Sequence, residues 1–245
     1  YTKNSTEKVF DLAKIFAEVG MHRGVSVSMQ SLNSNTLKNI KRDNIKLDFF
    51  KSLQRKYVEA DMVTYTELIL PLPGETYESW KEGIDKLLDS SQHSGLIVYN
   101  ANVMPNAELG DKNYQEKYKI ETAEIPLFQA HSDKPVDDIL EYEPIVAATY
   151  SMPTSQWKKA YKFTVFLQGF HYLGLLQAVF IILRHEYGIT YSDFIESLID
   201  YGEKNKQSFL NKEVSEKEYI VYQILDPLLK FSKYHFRHQY RLSAY

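Results

Sequence analysis

An α/β fold followed by a mainly helical C-terminal part is predicted by three features of the sequence. Apolar residues recur at helical spacing near the start, short β-branched runs then alternate with further helical stretches, and beyond residue 150 the pattern becomes helical throughout. Strands that alternate with helices need crossover connections, so they are expected to lie parallel, in an α/β barrel or an open α/β sheet. The 245 residues suffice for one large domain or two small ones, and 44% hydrophobic content is that of a globular chain. A formal net charge of -3 supplies no general field for nucleic acid or an anionic membrane. The absence of cysteine removes disulfides, thiolate metal ligands and a cysteine nucleophile from consideration. Tyr1 is not an initiator methionine and no signal-type segment precedes the first helix, so the chain is expected to begin within a longer protein.

Residues 6–19 place Val9, Leu12, Ala13, Phe16 and Val19 on one stripe of a helix that Gly20 stops. Residues 25–29 alternate valine with serine and lead to Gln30 and Ser31, which reads as a strand whose end reaches a rim. Asn33 and Asn35 are cap candidates for a short helix ending near Arg42, with Leu37 and Ile40 inward. A second helix follows with Phe50, Leu53 and Tyr57 inward. Residues 63–70 form the next strand, rich in apolar and β-branched side chains and interrupted by Glu67. The chain then turns at Pro73 and Gly74, and Thr76 caps a helix whose Trp80, Ile84, Leu87 and Leu88 share a face. Residues 96–103, bounded by Gly95 and Pro105, give a third strand. Regularity is lost over 106–143, a charged stretch with Pro126 and Pro135 that reads as a functional loop or a set of short elements. Residues 145–150 read as a strand, and 155–185, 191–203 and 214–231 as helices. The run 163–183 approaches the roughly 20 residues of a bilayer span, but Gln168, His171, Gln177 and the charged flanks favour a buried helix, and no membrane partner is expected.

Three strand ends carry the candidate chemistry: Gln30 and Ser31, then Glu67 with the LPGET turn, then Asn100, Asn102 and Asn106. Ligands of parallel α/β proteins bind outside the carboxyl ends of the strands, where loop polar groups and helix N-termini converge. Arg42 would reach that rim if its helix packs back, and its guanidinium suits a carboxylate. A carboxylate inside an apolar strand needs a partner, so Glu67 reads either as a ligand group or as one half of an ion pair with a lysine such as Lys81. Gln30 also reads as a solvated strand end, and Arg42 as part of a charged helix end. His171 on an apolar helix reads as a core histidine. His22, His93 and His131 have no ligand spacing, so no histidine metal site is expected. The tail KYHFRHQYRL mixes bases with aromatics and reads as a surface tail, with RNA binding the lesser alternative; no nucleic-acid partner is expected.

The order of MQSLNSNTLKNIKRDN, ELILPLPGETYESW and VYNANVMPNAEL resembles the second half of a radical S-adenosylmethionine barrel. With Lys3 and Asn4, the runs QSLN, LPGETYES and MPNAEL are similar to the cobalamin-binding branch of that superfamily. The resemblance implies that residues 1–105 are the later strands of a partial parallel (β/α) barrel of TIM type. It makes 106–150 a long connecting or active-site loop with a strand, and 151–245 a helical C-terminal domain. It also implies that Gln30 and Glu67 contact the ribose hydroxyls of S-adenosylmethionine, that Arg42 meets the methionine carboxylate, and that Asn100 lies beside the adenine; the donors and acceptors suit those roles. Pro71 departs from the glycine common before LPGET, and removes a backbone donor there. The larger departure is the missing CxxxCxxC that holds a [4Fe-4S] cluster in the family. The expectation is therefore a C-terminal piece, inactive alone, of a cytoplasmic cobalamin-dependent radical enzyme. Its missing N-terminal half would hold the cluster and the cobalamin, and it would transfer methyl to, or rearrange, an unactivated carbon of a small-molecule or peptide substrate. A degenerate, non-catalytic α/β binding module is the alternative. Exposed strand edges predict that the chain alone is poorly soluble.

Overall fold

The computed structural model describes residues 8–21, 24–126 and 141–211. Helix α1 (Lys8–Glu18) leads to β1 (Val25–Ser26), and α2 (Ser34–Asn39) and α3 (Leu47–Glu59) then cross over to β2 (Thr64–Leu70). The stripe expected to be buried on α1 is corrected: Leu12, Phe16 and Val19 are exposed, and Phe10, Ala13 and Ala17 pack on the core instead. Helix α4 (Tyr77–Asp89) crosses to β3 (Leu96–Asn100). The sheet order is β1-β2-β3 and both pairings are parallel, as helical crossovers require. Formal strand β1 is shorter than the valine-serine alternation predicts, yet the same contact with β2 continues beyond it: Val27 N–H donates to Tyr65 O at 2.8 Å and Met29 N–H to Glu67 O at 3.2 Å. It ends at Gln30, which bridges Leu68.

One face of this sheet makes the core. Val27, Met29, Leu68, Leu70 and Leu96 are buried together with Phe50, Leu53 and Tyr57 of α3 and Trp80, Ile84, Leu87 and Leu88 of α4, the stripes that helical spacing predicts. The Thr76 cap is also borne out. Its hydroxyl accepts from Ser79 N–H at 3.1 Å while Ser79 Oγ accepts from Thr76 N–H at 2.9 Å, a reciprocal capping box.

The stretch predicted as irregular contains a 3₁₀ turn (Glu108–Gly110), α5 (Lys112–Tyr118) and β4 (Glu121–Pro126). Strand β4 pairs antiparallel with β5 (Tyr142–Ala148). The third strand is shorter than residues 96–103. After Asn100 the backbone leaves β2 for β5, with Val146 N–H donating to Ala101 O at 2.9 Å and Val103 N–H to Pro144 O at 2.8 Å. Over residues 154–211 the chain is mainly helical, but the single helix expected over 155–185 is broken into α6 (Thr154–Phe166), a π-helical segment (Leu167–Tyr172) and α7 (Gln177–Tyr187); α8 (Tyr191–Asn211) follows. These helices cover α4. Trp80 Nε1–H donates to Thr164 Oγ1 at 3.2 Å, and Tyr77 OH donates to Glu196 at 2.9 Å. Among the described residues no single helix is long and apolar enough to cross a membrane; the pair Thr154–Tyr172 and Gln177–Tyr187, which passes by composition, is bent by 96°. His22, His131, Lys3, Asn4, the predicted helix over 214–231 and the basic tail lie outside the described residues.

Candidate functional site

Side chains alternate along a strand, so the partners of the core residues face the other way. That second face carries Ser26 and Ser28 of the first strand, Tyr65, Glu67 and Ile69 of β2, and Ile97 and Tyr99 of β3. Among the described residues no helix stacks on it, and Tyr99 is 45% exposed. Glu67 is 7% exposed. Its oxygen Oε2 accepts from Ser26 Oγ at 3.0 Å and from Ser28 Oγ, and Oε1 accepts from Tyr99 OH at the long distance of 3.4 Å. Two serines of the neighbouring strand thus fix one oxygen and leave the other weakly engaged above an open face. The lysine pairing is corrected: Lys81 binds Glu78 at 2.9 Å and Glu196 at 3.0 Å on the opposite side of the sheet. The serines were legible as a period-two alternation, but nothing local links them to a carboxylate 39 and 41 residues on.

Gln30 lies at the end of the first strand with φ 61, a left-handed backbone that glutamine seldom adopts. Met29 N–H and Gln30 N–H both donate to Glu67 O, at 3.2 and 3.1 Å, and Ile69 N–H donates to Gln30 O at 2.9 Å. This bulge sets Gln30 directly beside the Glu67 backbone. Arg42 follows α2, in a segment tied to the rim at two points: Asn39 Nδ2 donates to Pro73 O at 3.0 Å and Asn44 Nδ2 to Ser31 O at 2.6 Å. Among the described residues no carboxylate pairs with Arg42. Asn100 is the last residue of β3, opposite Leu70. That register places it out of phase with Glu67 and Tyr99, at the strand's carboxyl edge. Asn102 is committed elsewhere, donating to Glu143 Oε2 at 2.7 Å.

Glu75, in the turn, escapes a reading that stops at the turn itself. It is 1% exposed and accepts hydrogen bonds from Ser31 and Ser79, joining the end of the first strand to the start of α4. Burial raises its carboxyl pKa, and the hydrogen bonds from Ser31, Ser79 and Asn33 oppose that rise. Gly74 has φ +98, and a Cβ there would lie 2.7 Å from Asn39 Nδ2. Only glycine fits this approach of the turn to α2. The Leu70-Pro71 peptide is cis.

A parallel three-stranded sheet, with one face that no described helix covers and a capped strand-to-helix turn at its rim, makes this an α/β protein. No family model matches the chain. It is 36% identical over 201 residues to the cobalamin-dependent radical SAM methyltransferase TokK of Streptomyces tokunonensis. It is 31% identical over 201 residues to a 2-(S-pantetheinyl)-carbapenam-3-carboxylate methyltransferase of Streptantibioticus cattleyicolor. Each match covers 82% of this chain and 29% of the relative, so the chain spans less than a third of the length of the curated proteins it matches. The similarity places the chain in the cobalamin-binding branch of the radical S-adenosylmethionine superfamily.

Proposed function

We propose that this chain forms the S-adenosylmethionine-binding C-terminal part of a cobalamin-dependent radical methyltransferase. The order β1-β2-β3 is that of consecutive strands in a parallel barrel, and residues 1–105 would contribute its later strands. Residues 106–150 would connect to a helical domain over 151–245. The missing N-terminal half would close the barrel. Bound together, S-adenosylmethionine, a [4Fe-4S] cluster and cobalamin supply the radical and the methyl group in such an enzyme. The cluster does not fit the residues here, because the chain has no cysteine, so its ligands would lie elsewhere in the protein. The cobalamin would also be held outside this chain.

The residues do fit S-adenosylmethionine. The observation that carries the reading is Glu67, a nearly buried carboxylate pinned through one oxygen and turned to the uncovered face. With Gln30 beside it, it would accept from the ribose hydroxyls; Arg42 would pair with the methionine carboxylate, and Asn100 would border the adenine from the strand end. Glu75 would hold the rim in register through Ser31. By its name, one relative acts on a carbapenam carboxylate. For this chain the reading extends to methyl transfer onto an unactivated carbon.

The test uses the longer protein. A cysteine triad of CxxxCxxC type is expected before residue 1, and its absence would end the radical-enzyme reading. In that protein Glu67→Ala is expected to weaken S-adenosylmethionine binding by roughly ten- to a hundredfold in equilibrium dialysis, the worth of a hydrogen bond to a charged group. Unchanged affinity removes Glu67 from the site.

A further inference from the structure

The C-terminal helices meet the sheet at a histidine pair that the proposed chemistry does not use. His171, in the π-helical segment, is fully buried, and its Nε2 lies 3.0 Å from Nδ1 of half-buried His93 in the loop before β3. The rings of Tyr172, Phe180 and Tyr191 surround His171. Its Nδ1 is buried with no partner. The N···N contact needs one donor and one acceptor, so it is made by two neutral imidazoles or by a pair sharing a single proton. Two protonated rings would set N–H against N–H, and a protonated His171 would also bury an unpaired Nδ1–H.

Among the described residues, the acids on the neighbouring helix α4 are already engaged. From α4, Asp89 acts on His93 with the favourable sign, but it is already held by Arg184 of α7 through bonds of 2.9 and 2.8 Å. Also on α4, Asp85 is held by Ser192 of α8. From α7, His185 acts on His93 with the wrong sign. From α8, the Tyr191 ring faces the pair. Burial is the leading cause that lowers both pKa values, that of His171 to about 3.

The pair sits in a net that reaches the candidate site. Gln177 Nε2 donates to His93 O at 2.9 Å and Tyr172 OH to Gln92 O at 2.9 Å, while Gln92 Nε2 donates to Thr66 Oγ1 at 2.9 Å. Thr66 directly precedes Glu67. We propose that His93 and His171 form an acid-released latch that holds the C-terminal helices on the parallel sheet. Neutral, the pair closes the joint; protonated, it opens it and frees the loop that positions β2 and β3.

The sign follows from linkage. Depressed folded pKa values mean that the unfolded chain binds more protons, so the latch is fully stabilising above the ordinary imidazole value near 6.5, weakens as pH falls below it, and loses nothing more below the folded values. From pH 7.5 to 5.0 a histidine kept neutral in the fold lowers the folding equilibrium constant about 30-fold. The test is denaturant unfolding of the longer protein at both pH values, beside His171→Phe and His93→Gln. Each variant is expected to lose less stability than wild type on acidification, His171→Phe by about that 30-fold. Wild-type acid sensitivity in a folded His171→Phe overturns the proposal. Hydrogen exchange on the unmutated longer protein supplies a second readout that needs no variant. Corrected protection over residues 167–187 is expected to fall at pH 5.0 before that of β2 and β3. Simultaneous loss in both regions, or loss in neither, also overturns it.

Discussion

The two faces of the small parallel sheet are built from the same three strands and face opposite environments. On one, Leu68 and Leu70 are buried with apolar residues of α3 and α4, and the buried threonines beside them are paired with Gln54 and Gln92. On the other, Glu67 is gripped by serines while Ile97 and Tyr99 stay open. Residues adjacent in sequence therefore serve different ends: one face supplies cohesion, and the other gives it up to present hydrogen-bonding groups. Glu67 is the one charged residue of β2, and parallel sheets are ordinarily covered on both faces. The uncovered face is where a ligand and further barrel strands would complete the protein.

The largest effect should come from the covered face. Leu68→Ala removes a side chain that is 1% exposed among well-packed neighbours, and is expected to cost about 3 kcal/mol in denaturant unfolding. A cost below about 1 kcal/mol would mean that the core does not rest on this face.

A smaller effect is expected where the two faces meet at the rim. Gly74→Ala forces a Cβ into a φ +98 backbone and against Asn39, whose amide carries the bond to Pro73 O. About 2 kcal/mol of destabilisation is expected, from backbone strain together with the lost approach. In the longer protein the same change should displace Arg42, since Asn39 anchors its segment, and raise the Kd for S-adenosylmethionine. Stability lost with binding intact would separate Arg42 from the site.

What the sequence disclosed followed from how local each signal is. The inward stripes of α3 and α4, the Thr76 cap and the parallel strands are written in spacings of a few residues, and all are present. The strand ends that gather at the rim were also readable, because the crossover rule sends them to one side. The partners of Glu67 were not. Lys81 lies closer in sequence, but it is on a helix covering the other face, whereas Ser26 and Ser28 need the register of two strands to be known. The β4–β5 pairing was missed because β4, ETAEIP, consists mostly of glutamate, alanine and a terminal proline, residues depleted in strands. It forms because β5 offers it an edge, a tertiary fact. The His93–His171 contact joins residues 78 apart whose separate surroundings give no sign of each other.

The smallest effect is the most telling about the open face. Ile97 faces the same side as Glu67 and is only half-buried, so Ile97→Ala in this chain should cost less than about 1 kcal/mol, in proportion to the modest apolar area it hides. An isoleucine held beside a buried carboxylate gains little here, and its value must come from whatever covers it. If further strands close a barrel over this face, the same substitution in the longer protein opens a cavity and should cost about 2 kcal/mol or more. Paired urea melts of the two lengths measure that difference directly. Equal, small costs in both would mean that the face stays open, and would leave Glu67 presenting its carboxylate to solvent rather than to a ribose.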